Sequence, residues 1–431
     1  MKLEIIKSVK LAFVVAVCGI VIASCNKSLP EAEPIVTTPP SGSSINDLLA
    51  DPDFSILKAA VTRAGTGVTT LLSDKSAVFT LFAPNNAAFQ LSGIPNEAAV
   101  AAFRPGQLDT ILKYHLIGGA KIKAADISST FPNMYLQSSF ILAPPSATLP
   151  PGLRMPIFPA KNAGAAWVNN IPIIQADIEA ANGVIHKVAA IVAPPSQLLF
   201  QRIASDPDLA YLDSAIVRAD SGDAAKTLQS ALLNPAANLT VFAPTNAAFQ
   251  TILTGQITLG LIPIITQQTK AVIKQQLIAG GATEADAEAQ ATAQVATMAA
   301  TIAGQAQAQA TALASSPSVF QNPALFPVLT ATVVKGIVVY HLLGVRAFSV
   351  NIPTTATAVT TLLNGAIAAH PGITIQATFG LTGVTAATVK GLGNGSASNI
   401  LINPAPAPNG TSDQHYINGI LHKIDQVLIP Q

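Results

Sequence analysis

Four short blocks occur twice in this 431-residue chain, in the same order both times. Asp51-Pro52-Asp53-Phe54 returns as Asp206-Pro207-Asp208-Leu209, and Phe82-Ala83-Pro84-Asn85-Asn86-Ala87-Ala88-Phe89-Gln90 as Phe242-Ala243-Pro244-Thr245-Asn246-Ala247-Ala248-Phe249-Gln250. Tyr114-His115-Leu116 returns as Tyr340-His341-Leu342, and Asn182-Gly183-Val184-Ile185-His186-Lys187-Val188 as Asn418-Gly419-Ile420-Leu421-His422-Lys423-Ile424. Ordered self-similarity of this kind means two copies of one folding unit. The first two blocks are displaced by about 160 residues and the last two by roughly 226 to 236, so about 66 residues are inserted in the second copy between its second and third blocks. The expected copies are residues 45–197 and 198–431, with the insertion at about 255–325.

Each block has a local reading. Asp before Pro, followed by apolar residues at helical spacing (Phe54, Leu57, Val61; Leu209, Leu212, Ile216), marks helix starts. Val78 to Phe82 is a β-branched and aromatic run ended by Ala83-Pro84, hence a strand. The Asn or Thr after Pro caps a short helix. Leu108 to Lys113 continues as a helix into Tyr-His, and Gly118-Gly119 turns the chain. Asn182-Gly183 and Asn418-Gly419 lie between apolar alternating runs, which predicts two-residue hairpin turns with both residues at positive φ. Helices and strands segregate unevenly, so an α+β class is expected over a doubly wound sheet.

The blocks resemble the fasciclin domain. Phe-Ala-Pro-Thr-Asn-Ala-Ala-Phe at 242–249 looks like that family's first box, Asn-Gly-x-x-His at 418–422 like its second, and Tyr-His stands between them. The first copy departs at Asn85, where the second has Thr245, and its Pro-rich stretch from Pro144 to Pro159 has no counterpart. The resemblance implies two tandem domains, each a compact wedge-shaped β-structure flanked by helices, and a role in adhesion or extracellular recognition rather than catalysis. It also makes Tyr114, His115, Tyr340 and His341 candidate binding residues, because animal members use this segment for receptors. Packing at a helix-to-strand junction is the competing account. For His186 and His422, on a strand with one buried face, a hydrogen-bonded core position is the reading.

Residues 282–316 of the insertion hold 15 Ala and a single Gly, a strongly helical composition. Thr283 followed by Glu284, Asp286 and Glu288 supplies a cap and an acidic first turn. Upstream, Ile265, Thr269, Val272, Ile273 and Gln276 trace a partly apolar face that stops at Gly280-Gly281. A helical hairpin is expected. Either it lies solvated on its own domain, or its Ala-rich surface packs against a helix elsewhere, in a partner for instance.

Lys2, Lys7 and Lys10 precede the apolar run Leu11–Ile22, too short for a stable span but suited to a signal peptide. It ends in Ile22-Ala23-Ser24-Cys25, which resembles a bacterial lipobox and implies a leader over 1–24 and lipidation of Cys25. Residues 25–44, with Pro30, Pro34, Pro39 and Pro40, read as a tether. Cys18 leaves with the leader, so the mature body has no thiol for a disulfide, a metal or a nucleophile.

Charged residues are 10% of the chain against 50% apolar, yet no uninterrupted run of about 20 apolar residues follows the leader. A net charge of +1 excludes a strongly basic nucleic-acid binder. The six His fall in no ligand spacing, and no nucleophile elbow or phosphate loop occurs. A glycosidase carboxylate pair lacks any surrounding aromatic platform. No cofactor and no enzymatic activity are expected. The sequence reads as a lipid-anchored protein of the bacterial outer membrane or cell surface, held to the membrane by its N-terminal lipid and recognising a matrix, glycan or protein ligand. Two alternatives stand beside it: a structural envelope protein without a specific ligand, and an accessory of polysaccharide uptake.

Overall fold

The structure, a computed structural model, describes residues 40–146, 152–381, 383–403 and 410–431. The expected leader, Cys25 and the tether through Pro39 lie outside the described residues. Residues 41–431 form one compact unit that contains both copies.

In the first copy Ser44 caps α1 (Ile45–Leu48), and Asp51 caps a single 3-10 turn that leads into α2 (Ser55–Ala64). After α3 (Thr66–Ser73) comes the predicted strand, β1 (Phe79–Pro84), then α4 (Asn86–Leu91) capped by Asn85, and α5 (Pro105–Tyr114). The strands that follow are β2 (Leu116–Gly118), β3 (Leu136–Ala143), β4 (Leu153–Ile157), β5 (Pro159–Asn162), β6 (Ala165–Val168), β7 (Ile171–Ala180) and β8 (Gly183–Val188). They form a six-stranded sheet in the order β2-β1-β8-β7-β6-β5 and a separate β3-β4 ribbon.

The second copy repeats the plan with α6 (Leu199–Ser205), α7 (Ala210–Ala219), α8 (Thr227–Leu233), β9 (Leu239–Pro244), α9 (Asn246–Ala279), α10 (Glu284–Thr297), α11 (Ala299–Ala314) and α12 (Ala331–Tyr340). Its strands continue as β10 (Leu342–Leu343), β11 (Thr357–Val359), β12 (Ile373–Gly380), β13 (Gly383–Lys390), β14 (Ser398–Ile400), β15 (Gln414–Tyr416) and β16 (Gly419–Ile424). The sheet order is β10-β9-β16-β14-β13-β12-β11, with β15 also paired to β16. The α+β expectation holds in both copies.

At the centre of each sheet the first and last strands of the copy run parallel, β1 with β8 and β9 with β16. Both faces of this pair are buried, so apolar residues point to both sides, and polar ones such as Thr80, His186, Thr240 and His422 are hydrogen-bonded inside. Phe79, Leu81 and Ala83 face the helices, and Phe82 faces the curled remainder of the sheet with Tyr114, Met155, Ile157 and Val188. Leu239, Val241, Ala243 and Phe242 divide in the same way.

Two expectations change. The hairpin turns are made by Ala181-Asn182 and Ile417-Asn418, because Ala180 pairs with Gly183 and Tyr416 with Gly419. Neither asparagine has positive φ. The glycines open β8 and β16 because the parallel neighbour runs too close for a side chain. A Cβ on Gly183 would overlap the Phe79 carbonyl oxygen, and one on Gly419 would sit 2.5 Å from the Leu239 oxygen and from a Leu199 methyl.

The insertion is also attached differently. The six-residue α4 of the first copy becomes the 34-residue α9, which runs unbroken through Gly255, Gly260 and Pro263. As expected, α9 stops at Gly280-Gly281 (Gly281 φ 99°) and Thr283 caps α10. The return limb is two helices that meet at Met298. On it every fourth residue is buried, first Ala287, Ala291 and Val295, then Ile302, Ala306, Ala310 and Ala314. Leu253, Ile257 and Ile265 face inward from α9 at the same spacing. Small residues along this ridge let the limbs approach closely, and Lys270 and Lys274 pair with Glu284 and Glu288 across the hairpin. The alanine surface is therefore consumed within the hairpin. Among the described residues α9 is the one helix long and apolar enough to cross a membrane by length and composition, though 28% of its apolar window is buried in the protein.

Candidate functional site

The repeated polar residues join one block to another. In the second block, Asn86 accepts from the Ile56 amide (3.0 Å) and donates to the Pro52 carbonyl (2.9 Å), which holds the first block's helix; Asn246 does the same with Tyr211 and Pro207. In the fourth block, Asn182 accepts from the Ile45 amide and donates to the Leu72 and Asp74 carbonyls. Asn418 accepts from Leu199 and donates to Leu232. Lys187 pairs with Asp53 at 2.7 Å, and Lys423 with Asp206 and Asp208 at 2.9 and 3.0 Å. Buried polar groups cost heavily when unpaired, so these side chains fix which segments may meet.

The histidines complete the network. His186 Nε2 hydrogen-bonds the Ile122 carbonyl (2.8 Å) and its ring stacks on Phe82 (5.5 Å between centroids); His422 uses the Ala347 carbonyl (2.7 Å) and Phe242 (6.0 Å). His115 Nδ1 donates to the Ile111 carbonyl (2.8 Å), and its Nε2 accepts from the Val192 amide (2.9 Å). His341 repeats this with Ile337 and the Leu428 amide, both at 2.8 Å. A ring that donates at one nitrogen and accepts at the other is neutral. Burial accordingly pulls the pKa of His115 and His341 down to about 4.

Tyr114 donates to the Pro156 carbonyl (3.0 Å) and Tyr340 to the Gly372 carbonyl (2.6 Å). Burial pushes the Tyr114 hydroxyl up to about 12. Tyr114, His115, Tyr340 and His341 are all at most 1% exposed. The structure thus places the four candidate binding residues inside their domains, the tyrosines tying α5 and α12 to the sheet region and the histidines tying them to the chain just past the last strand, and none offers surface to a partner in the folded chain.

Contact between the copies converges elsewhere, on Arg346. This arginine is 2% exposed and meets no carboxylate among the described residues. Its Nε donates to Asn238 Oδ1 (3.0 Å), its Nη1 to His415 Nε2 (2.8 Å) and the Tyr416 carbonyl (3.1 Å), and its Nη2 to the Ile417 carbonyl (2.5 Å). The guanidinium lies 5.1 Å from the ring centre of Phe158 in the first copy. Around it Phe158 and Trp167 of the first copy pack with Phe348, Val350 and Ile420 of the second. Asn162 donates across the boundary to the Val350 and Ile352 carbonyls, and Asn133 to that of Arg346. Desolvation lowers the Arg346 pKa to about 10, and His415 falls well below its ordinary value through burial and the adjacent arginine.

A groove of about 630 Å³ beside the base of the insertion is lined by Val217, Arg218, Lys226, Phe320 and Phe326 together with Asp220 and Asp223. Arg218 already covers Phe326 (3.7 Å), and both aspartates are bound by backbone amides and Lys335. No group of three or more metal-ligating side chains occurs among the described residues.

The Fasciclin domain model matches residues 52–194, and a Synechocystis sp. relative, protein sll1483, is 32% identical over 145 residues, 33% of this chain and 68% of that protein. The chain belongs to the fasciclin-domain family. Transforming growth factor-beta-induced protein ig-h3 of Sus scrofa is 31% identical over 159 residues, 37% of this chain and 20% of that protein. The chain thus spans about one fifth of the first curated relatives it matches. A solved fasciclin domain pair from the insect cell adhesion molecule Fasciclin I covers 89% of this chain and 95% of that one, at 14% identity and a TM-score of 0.29. The family match lies in the first fasciclin domain, and the second repeats its network of side chains at the Asn, Lys, Tyr and His positions. Sequence reading missed the junction between these domains. Its signal was present: Arg346 and His415 occupy the places of Lys121 and Glu179 in the first fasciclin domain, an ion pair exchanged for a cation and a neutral ring.

Proposed function

We propose that this chain is an adhesion or recognition protein of the bacterial cell surface, lipid-anchored through Cys25, that presents two fasciclin domains as one body to a matrix, glycan or protein ligand. The observation that carries the reading is its membership of an adhesion-type family, joined to the lipobox-like Ile22-Ala23-Ser24-Cys25 ahead of the folded unit. The buried junction supports a fixed spacing between the domains, which suits the display of two surfaces to one ligand. The Tyr-His segments act in this reading by shaping the strands beneath that surface, and no catalytic step is assigned to any residue. The test has two arms. Cys25→Ala should move the protein from the membrane fraction to the soluble one, since the lipoprotein modification supplies several acyl chains and stable attachment needs more than one. The soluble variant, applied to glycan and matrix-protein arrays, should bind a defined class saturably. Retention of the variant after carbonate washing would remove the anchor, and uniform non-binding would leave the structural envelope role.

A further inference from the structure

We propose that Arg346 and His415, neighbours on the docking face of the second fasciclin domain, form a latch that acid opens, releasing the first domain and exposing the aromatic surface the two share.

His415 Nε2 accepts a hydrogen bond from Arg346 Nη1 at 2.8 Å, so that nitrogen must be unprotonated while the contact exists. The imidazole stands edge-on to Phe158 of the first domain (6.4 Å) and to Phe348 of the second (5.4 Å), and Phe158 and Phe348 touch each other (6.1 Å). His415 is therefore part of the surface on which the first domain sits, yet only partly buried, so solvent protons can reach it. Protonation turns the acceptor into a donor and places two cations head to head in a site of low polarity.

Nothing facing the pair absorbs that second charge. From the first domain the titratable groups near Arg346 are the phenols of Tyr114 and Tyr135, and neither is a carboxylate. On the second, Tyr416 is raised to about 12 by burial, and the Asp413 carboxylate is occupied by the Ser349 amide and hydroxyl, both at 2.6 Å. The remaining contacts of Arg346 are carbonyls and Asn238.

The sign follows from linkage. Once the domains part, the burial that chiefly depresses His415 is relieved and its pKa rises toward the ordinary value near 6.5, whereas in the closed state it lies well below that value. The open form therefore binds the extra proton, and the closed form's advantage is complete above about pH 6.5. Below it the opening constant rises by up to about tenfold per pH unit.

The chain carries its own reporter. Trp167 is the single tryptophan, is 4% exposed, and packs across the junction on Phe379 at 5.8 Å. In the full soluble chain, emission should shift to the red between pH 7.5 and 5 while far-UV circular dichroism stays constant. His415→Gln supplies a neutral acceptor for Arg346 and should abolish the shift. An unmoved emission maximum in the wild-type protein, a shift accompanied at the same pH by loss of ellipticity, or an equal shift in His415→Gln would each overturn the latch. Should that variant fail to fold, the imidazole resonances of His415 in the wild-type chain decide instead. Titration near pH 6.5 with no change in Trp167 emission refutes the proposal, and titration well below it together with the red shift supports it.

Discussion

The two domains place different chemistry on one structural position. In the first, Lys121 and Lys123 share Glu179 at the surface, and hydrogen bonds from the two ammoniums hold that carboxylate down to about 2. In the second, the same places hold Arg346, Phe348 and His415, and the partner domain covers them. The equivalence is fixed by shared bonds: Thr80 accepts from the Ile122 amide and donates to the Ala120 carbonyl, as Thr240 does with Ala347 and Val345. A carboxylate that is harmless in water would add a second desolvated ion at the junction. A neutral histidine accepts the same hydrogen bond without that ion. One scaffold thus gives either a solvated face or a docking face by exchanging three side chains.

The sharpest break of this comparison is Arg346→Ala set against Lys121→Ala. Removing Arg346 strands the Tyr416 and Ile417 carbonyls and Asn238 at 1–3 kcal/mol for each unsatisfied group, so a loss of about 3 kcal/mol or more is expected in urea unfolding. Lys121→Ala should leave the midpoint unchanged. Equal losses would show that the two positions are not differently used.

Acid should act on both domains alike through His115 and His341. Their folded pKa of about 4 lies below the unfolded value, so unfolded chains bind the extra protons. The stabilisation is full above about pH 6.5, declines by roughly 1.4 kcal/mol per unit for each ring as pH falls, and is gone near 4. Denaturant melts at a series of pH values check this. A slope removed wholly by His341→Gln would show that the first domain's ring does not contribute.

Gly183→Ala and Gly419→Ala should each cost about 1–3 kcal/mol by forcing β8 or β16 away from its parallel neighbour. The first should be worse, since its Cβ meets main chain alone while that of Gly419 also meets the movable Leu199 methyl. Thermal melts that rank them in reverse would contradict this.

The smallest effect is expected from trimming the insertion. Replacing the distal hairpin, about residues 266–302, by a short turn removes mainly the satellite cluster of Ile265, Val295 and Ile302. It should leave the midpoint of unfolding of the domain nearly unchanged, because helices draw most of their stability from packing and this segment packs mainly on itself. Cutting the whole of 262–324 takes away Ala310, Ala314, Val319 and Phe320, which cover Phe249 and Leu253 in the domain core, and the bond from Tyr211 Oη to the Ala314 carbonyl (2.6 Å). Cooperative unfolding should be lost there. In the first domain Ile94 and Val100 cover Phe89 instead, so no hairpin is needed.

Much of this was legible beforehand. The blocks announced two copies, the caps at Asp51, Asn85, Thr245 and Thr283 stood where Asx and Thr side chains meet free helix amides, and the strand at 79–84 followed from its β-branched and aromatic run. Asn-Gly misled because the same dipeptide serves a turn at positive φ or, as here, a buried clamp followed by a crowded strand start. The short helix after Thr245 misled because glycine and proline, which usually end helices, sit in α9 where the second limb supports them.

The sequence by itself determined the repeat, the class of fold, the placement of the insertion and the core character of His186 and His422, because each rests on neighbours a few residues away or on a pattern written twice. Only the tertiary structure decided that the Tyr-His pairs are interior and that Phe158 and Trp167 of the first domain and Arg346 and His415 of the second build the junction. Those four side chains come from segments up to about 250 residues apart. Whether a charge at such a place is solvated or buried depends on what the other domain lays over it, a quantity no local pattern carries.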